Sequence, residues 1–284
     1  MDNLQKNRTV SLGVSRTIIY AVCIVLSLLS LLPFLIMFVN ATRSTPEIQS
    51  GLSLIPSSHL LTNWNVLLDK SFDPIRGFLN SFIISGASTL CTVYFSSLTA
   101  YALVVYNWKM RQPFFTFIMC VMMIPAQASA IGFYQFIYQL HWTNSFLPLI
   151  LPAIAAPAVV FFMRQYLLAT LSLEIVEAAR ADGSGEFSTF NRIIMPIMMP
   201  AVATQAIFAF VASWNNLFMP LILLTQKEKY TMPIMVSLLR GDIYRTEYGS
   251  IYLGLTLTVL PLFVIYFLLS RYIIAVVALG GVKE

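Results

Sequence analysis

The sequence predicts an all-α polytopic membrane fold with six transmembrane helices, and three observations carry that prediction. Of the 284 residues, 58% are hydrophobic and 10% charged, against roughly one-quarter charged in a soluble domain. The charges gather into bands that leave Thr17 to Thr42, Gly77 to Trp108, Gln112 to Met163, Ile193 to Gln226 and Tyr248 to Ser270 without any. Each stretch is also long enough to span, since a bilayer core of ~30 Å asks for about 20 apolar residues at helical rise. Helices are required because lipid offers backbone amides no partner.

The first span is expected at 18–39. It is too long for a signal-peptide core and no A-x-A site follows it, so it is expected to stay in the mature protein. The second is expected at 78–105. Gln112 to Met163 holds two passes, 114–137 and 147–163, with the polar run "YQLHWTNS" (Tyr138 to Ser145) as the turn between them. Spans at 200–224 and 250–270 complete the count.

Orientation follows from Lys and Arg in the short loops. With the N-terminus cytoplasmic, Lys6, Arg8, Arg16, Lys109, Arg111, Arg164, Arg180, Arg192, Arg271 and Lys283 face inward. Arg43, Lys70, Arg76, Lys227, Lys229, Arg240 and Arg245 face outward, in the two longest outer loops. Both termini are therefore expected inside, and the net charge of +5 belongs to loops beside anionic headgroups of the membrane lipid rather than to nucleic-acid binding. Cys23, Cys91 and Cys120 fall inside predicted spans and read as small buried hydrophobes, not a disulfide framework.

Ionisable groups at membrane depth mark proton relays and voltage sensors, and the predicted spans contain none. This argues against a proton-coupled carrier. A Na⁺ site made of carbonyls and hydroxyls would leave no such mark, so a Na⁺-coupled secondary carrier stays open on the residues alone, as does a non-transporting scaffold. His59 and His141 have no Cys or carboxylate at metal-ligand spacing, so no metal site is expected. Neither a G-x-S-x-G elbow nor a G-x-x-x-x-G-K-[ST] phosphate loop occurs. If ATP drives the machine, another chain binds it.

Between Arg164 and Pro200 lies the longest predicted cytoplasmic excursion, "EIVEAARADGSGEF" at its centre. Ser172 is placed to cap a helix whose first turn carries Glu174 and Glu177, favourable at a positive helix end. Ile175, Ala178, Ala179 and Asp182 fall at spacings of three and four on one face. Gly183 suits the left-handed conformation that ends a helix, and a second short helix is expected from Ser184 to Pro196. The loop, 172–196, is thus a helix, a Gly elbow and a helix. Two adjacent Ala residues let its backbone come close to whatever receives it.

Glu177-Ala178-Ala179, three residues, Gly183, nine residues and then Ile193-Ile194-Met195-Pro196 resembles the cytoplasmic signature of inner-membrane subunits of binding-protein-dependent ABC importers. "NSFIISGASTLCTVYFSSLTAYAL" (Asn80 to Leu103), "FFMRQYL" (Phe161 to Leu167), "ASWNNLFMPLILL" (Ala212 to Leu224) and the ending "LGGVKE" extend the likeness over nearly the whole chain, which is most similar to the maltose-type second permease of the carbohydrate-uptake branch. The resemblance implies a single permease domain over 1–284, with a peripheral first helix and core helices within 78–270. It implies a permease subunit of an ATP-driven importer for a carbohydrate, with an oligosaccharide favoured, in a bacterial cell membrane. The partners implied are a second, different permease, a dimer of ATP-binding subunits holding ATP and Mg²⁺, and an extracytoplasmic solute-binding protein. It also makes the loop the coupling helix, with Glu177, Ala178, Ala179, Arg180, Asp182 and Gly183 meeting the ATPase. Met195 stands where relatives more often have Leu, Asn216 where they commonly have an acid, and the terminal Glu284 where they often end in Gly.

A sugar pathway should collect uncharged polar and aromatic side chains that are costly to turn toward lipid. Gln127, Tyr134 and Gln135 on the third span qualify, as do Ser213, Trp214, Asn215 and Asn216 on the fifth, near the helix-breaking Pro220. The alternative for each is a bond across helices or, for Trp214, filling a packing gap.

Overall fold

The computed structural model describes residues 2–69, 72–125, 127–239 and 246–281. Lys70, Arg240, Arg245 and Lys283, used above for orientation, and the tail 282–284 lie outside them. Among the described residues every regular element is helical.

In chain order these are α1 (Asp2–Asn40), α2 (Thr45–Gln49), α3 (Leu60–Asp69), α4 (Pro74–Val105), α5 (Arg111–Val121), α6 (Ala130–Gln139) and α7 (Leu147–Ile150). A 3₁₀ turn at Leu151–Ile154 leads to α8 (Pro157–Thr170), α9 (Leu173–Ala181) and α10 (Glu186–Thr189), and a π segment at Phe190–Ile194 leads to α11 (Met195–Trp214). After it come α12 (Phe218–Leu223), α13 (Met232–Leu239) and α14 (Tyr248–Gly281). Five segments among the described residues are long and apolar enough to cross a membrane: Arg16–Asn40, Pro74–Val105, Leu147–Thr170, Glu186–Trp214 and Tyr248–Leu268. The protein is a multi-pass membrane protein.

Several expected boundaries move. The third expected span, 114–137, is two short helices, α5 and α6, joined by turns. Pro125 lacks an N–H and pushes residue 124 out of helical geometry, and the chain turns there through Ile124 N to Val121 O and Ala128 N to Pro125 O. The fourth expected span ends not at 163 but at Thr170, so Arg164 lies inside a helix. The second loop helix does not stop at Pro196: 186–214 runs on as one rod. A π turn, in which the Met195 N–H bonds the Phe190 carbonyl, widens the helix just before that proline.

The chain divides into two compact units. One comprises Met1–Phe72 with Leu239–Leu257, the other Asp73–Leu238 with Thr258–Glu284. In the first, the buried Asn63 side-chain amide donates to the carbonyls of Ala41 and Arg43, both at 2.9 Å, and the Asn63 backbone carbonyl accepts from Ser250 Oγ at 3.1 Å. Arg43 donates to Asn40 Oδ1 and to the Gly51 and Glu47 carbonyls. From Tyr20 to Leu35 the side chains of α1 are exposed, an apolar surface suited to lipid.

The second unit is built on α4, which packs against α8 and α11. Its buried face carries Ser81, Ser85, Ser88, Thr89, Thr92, Ser96 and Ser97, small residues that let membrane helices approach closely. Two of these hydroxyls answer a specific need. Pro157 cannot donate to the Ala153 carbonyl, and Pro152 cannot close the 3₁₀ bond to the Leu149 carbonyl. Thr92 Oγ1 bonds Ala153 O at 3.1 Å and Ser88 Oγ bonds Leu149 O at 3.2 Å. Of the "YQLHWTNS" run, Tyr138 and Gln139 close α6 and the rest is the expected turn, with His141 and Asn144 both at positive φ. The Asn144 side-chain oxygen accepts from the Thr225 and Gln226 amides and so ties that turn to the end of α12.

Candidate functional site

α9 forms where its sequence favours a helix at both ends. Ser172 takes extended cap geometry (φ −81°, ψ 126°), although its hydroxyl makes no capping bond, and Glu174 occupies the first turn with Arg180 in the last. At the far end Gly183 has φ +80°. Its N–H bonds Arg180 O at 3.0 Å while the Ser184 N–H reaches Ala179 O at 2.9 Å, the paired bonds that close a helix on a left-handed residue. A Cβ added at Gly183 would meet nothing within 4 Å. The demand for glycine is therefore backbone conformation alone.

The residue that ties the elbow to α4, Glu186, was not among those the sequence singled out. Glu186 accepts from Arg180 Nε at 2.7 Å, from Tyr106 Oη at 2.6 Å and from Tyr101 Oη at 3.0 Å. The Arg180 guanidinium also lies 5.5 Å from the centre of the Tyr106 ring, and the two tyrosines meet edge to face. Desolvation, reinforced by the hydrogen bond to Glu186, pushes the Tyr106 phenol above its ordinary range, and the same carboxylate raises Arg180. Both stay in the protonation state that the latch uses. A cleft of about 260 Å³ beside them is lined by Leu98, Tyr101, Tyr106, Glu186, Phe187 and Phe190.

Beneath the latch, Val176 of α9 belongs to one buried cluster with Tyr101 of α4, Leu167 of α8, Phe190 and Ile194. The short helix is thereby packed onto the ends of three long ones. This burial divides the face expected above: Ala179 is buried beside Val176, whereas Ile175, Ala178 and Asp182 are exposed, as is Glu177. Steric room at Ala179 is therefore used inside this chain. The outward surface is apolar at its rim, with Leu173 48%, Ile175 40% and Phe187 69% exposed.

The residues expected to line a pathway fall in different settings. Gln127 is exposed in the turn between α5 and α6, Tyr134 and Gln135 are exposed on α6, and Tyr134 stacks on Tyr138 at 6.2 Å. Asn215 is an exposed helix-end residue, Ser213 is half-buried, and half-buried Asn216 accepts from the Met219 N–H at 3.4 Å. "WNN" thus ends α11 instead of interrupting a helix to 224. Trp214 differs from the rest: it is buried, stacks on Phe210 at 5.5 Å and donates from Nε1 to Thr258 O at 2.9 Å. Its single donor is satisfied within the chain, the arrangement of a packing residue.

Residues 92–277 match the family described as binding-protein-dependent transport system inner membrane component. The arabinooligosaccharides transport system permease protein AraQ of Bacillus subtilis (strain 168) is 34% identical over 261 residues, 91% of this chain and 92% of the relative. The lactose transport system permease protein LacG of Rhizobium radiobacter is 30% identical over 264 residues, 93% and 95% of the two chains. A chain from the crystal structure of a bacterial ABC transporter involved in the import of the acidic polysaccharide alginate shares the fold with a TM-score of 0.77. It is 20% identical, and the match covers 90% of this chain and 95% of that one. The chain belongs to the family of binding-protein-dependent transport system inner membrane components.

Proposed function

We propose that this chain is the permease subunit of an ATP-driven importer for a carbohydrate, an oligosaccharide in particular. In this reading it pairs with a second, different permease to enclose a pathway. A separate dimer of ATP-binding subunits holds ATP and Mg²⁺, and an extracytoplasmic binding protein delivers the solute. The substrate class rests on the relatives named for arabinooligosaccharides and lactose.

The observation that carries the coupling role is the α9 elbow, a rod whose inner side joins the buried cluster of α4, α8 and the 186–214 helix while its outer side stays uncovered. A push on α9 would move those helices together, as rigid-body alternating access requires. Ala178, Ile175 and Phe187 offer the apolar contact, and Glu177 and Asp182 the charged contacts. Arg180 holds the elbow through Glu186 and so acts on the ATPase indirectly. The exposed Asn215, Gln127, Tyr134 and Gln135 are candidates for the wall of the pathway, because a lining residue must be uncovered in a single subunit.

Co-purification tests the proposal. The tagged chain should bring down a different permease and two copies of an ATPase, and the assembly in vesicles should take up an oligosaccharide only with ATP and binding protein. ATP-independent uptake by the lone chain would overturn it.

A further inference from the structure

Among the described residues, two arginines where α5 and α8 meet have no acid at salt-bridge distance. Arg164 lies six residues before the end of α8, about 9 Å along the axis. Its guanidinium carbon sits 4.2 Å from the centre of the Phe115 ring, and that ring stacks on Phe161. Arg164 Nε is shut off from solvent and has no hydrogen-bond partner. Arg111, the first residue of α5, is four positions before Phe115 and therefore on the same helix face, and the two like charges repel. Among the described residues neither side chain has a carboxylate within 4 Å.

Both side chains are half-buried, two like charges side by side without a counter-charge favour an anion between them, and a guanidinium fork matches phosphate oxygens well. The surroundings point to what supplies them. Met110, Phe114 and Phe117 are exposed apolar side chains on and beside α5, and Trp108 is exposed one turn earlier, where an indole suits the headgroup layer. Basic pockets between membrane helices on the cytoplasmic side are suited to anionic headgroups. We propose that Arg111 and Arg164 together bind the phosphate of an anionic lipid of the cytoplasmic leaflet, its acyl chains lying against Phe114 and Phe117. The leaflet named rests on the orientation expected from the Lys and Arg distribution and used in the proposed function, whereas the site itself does not.

Native mass spectrometry of the full chain in detergent, titrated with phosphatidylglycerol, phosphatidylcholine or inorganic phosphate, tests the site without reference to orientation. Phosphatidylglycerol should be retained as a one-to-one adduct, with phosphatidylcholine weaker by roughly ten-fold, because its phosphate offers the same oxygens but its trimethylammonium group sets a positive charge beside the two arginines. Arg164→Gln and Arg111→Gln should each weaken the adduct to a similar degree, and Arg164→Lys should keep most of it. If Arg164→Gln does not fold, Arg111→Gln at the helix start carries the comparison. Unchanged retention in the Gln variants, or equal retention of both lipids, would overturn the site, and displacement of the lipid by millimolar inorganic phosphate would overturn the lipid as its occupant.

Discussion

Gly183 and Glu186 fix the elbow by different means, and substitution separates them. Gly183→Val forces a β-branched residue to φ +80°, an outlier for such side chains. Gly183→Asn asks for a conformation that Asn tolerates. The Val variant should lose binding-protein-stimulated ATP hydrolysis while the Asn variant keeps most of it; equal rates in both would sink the backbone argument. Glu186→Gln removes the ion pair but keeps the shape. Because both partners are partly exposed, the effect on stability should be small, a shift of the unfolding midpoint by a few degrees. Stimulated hydrolysis should fall by roughly ten-fold, equivalent to 1.4 kcal/mol, with basal hydrolysis retained. An unaltered stimulated rate would make the latch incidental. Gly183 was legible in the sequence because a helix stop is a local pattern. Glu186 was not, because its tyrosines lie 85 and 80 positions away and only the folded chain brings them to it.

At the scale of elements, prolines decide where the membrane helices break and α4 answers some of the breaks. Thr92→Val keeps volume but leaves the Ala153 carbonyl without its bond, which should cost about 1–3 kcal/mol. Thermal unfolding of the detergent-solubilised chain would register this, and an unchanged midpoint would show that another donor replaces Thr92. Hydropathy located the long spans because lipid imposes length and apolarity on each of them. It misjudged 114–137, where Pro125 breaks a stretch that stays uncharged throughout, and 147–163, where the helix carries a charged residue past the apolar limit. Trp214 was ambiguous for a similar reason: an indole in an apolar run suits a pathway or a core equally, and only its bond to Thr258 O separates the two.

For the whole molecule, orientation and coupling are linked: an elbow on the wrong side of the membrane could not meet an ATPase. In a background lacking the native cysteines, Ser184→Cys should react with an impermeant thiol reagent only from the cytoplasmic side and Thr143→Cys only from outside. Reversed labelling would overturn the orientation and the docking role together. The central claim is that the outer face of α9 docks on a nucleotide-binding subunit, and photocrosslinking tests it most directly. With a photoreactive amino acid at Ala178, outside, or at Ala179, inside, the purified assembly should yield a crosslink to the ATPase from position 178 and none from 179. No adduct from 178, in an assembly that contains the ATPase and hydrolyses ATP, would contradict the account.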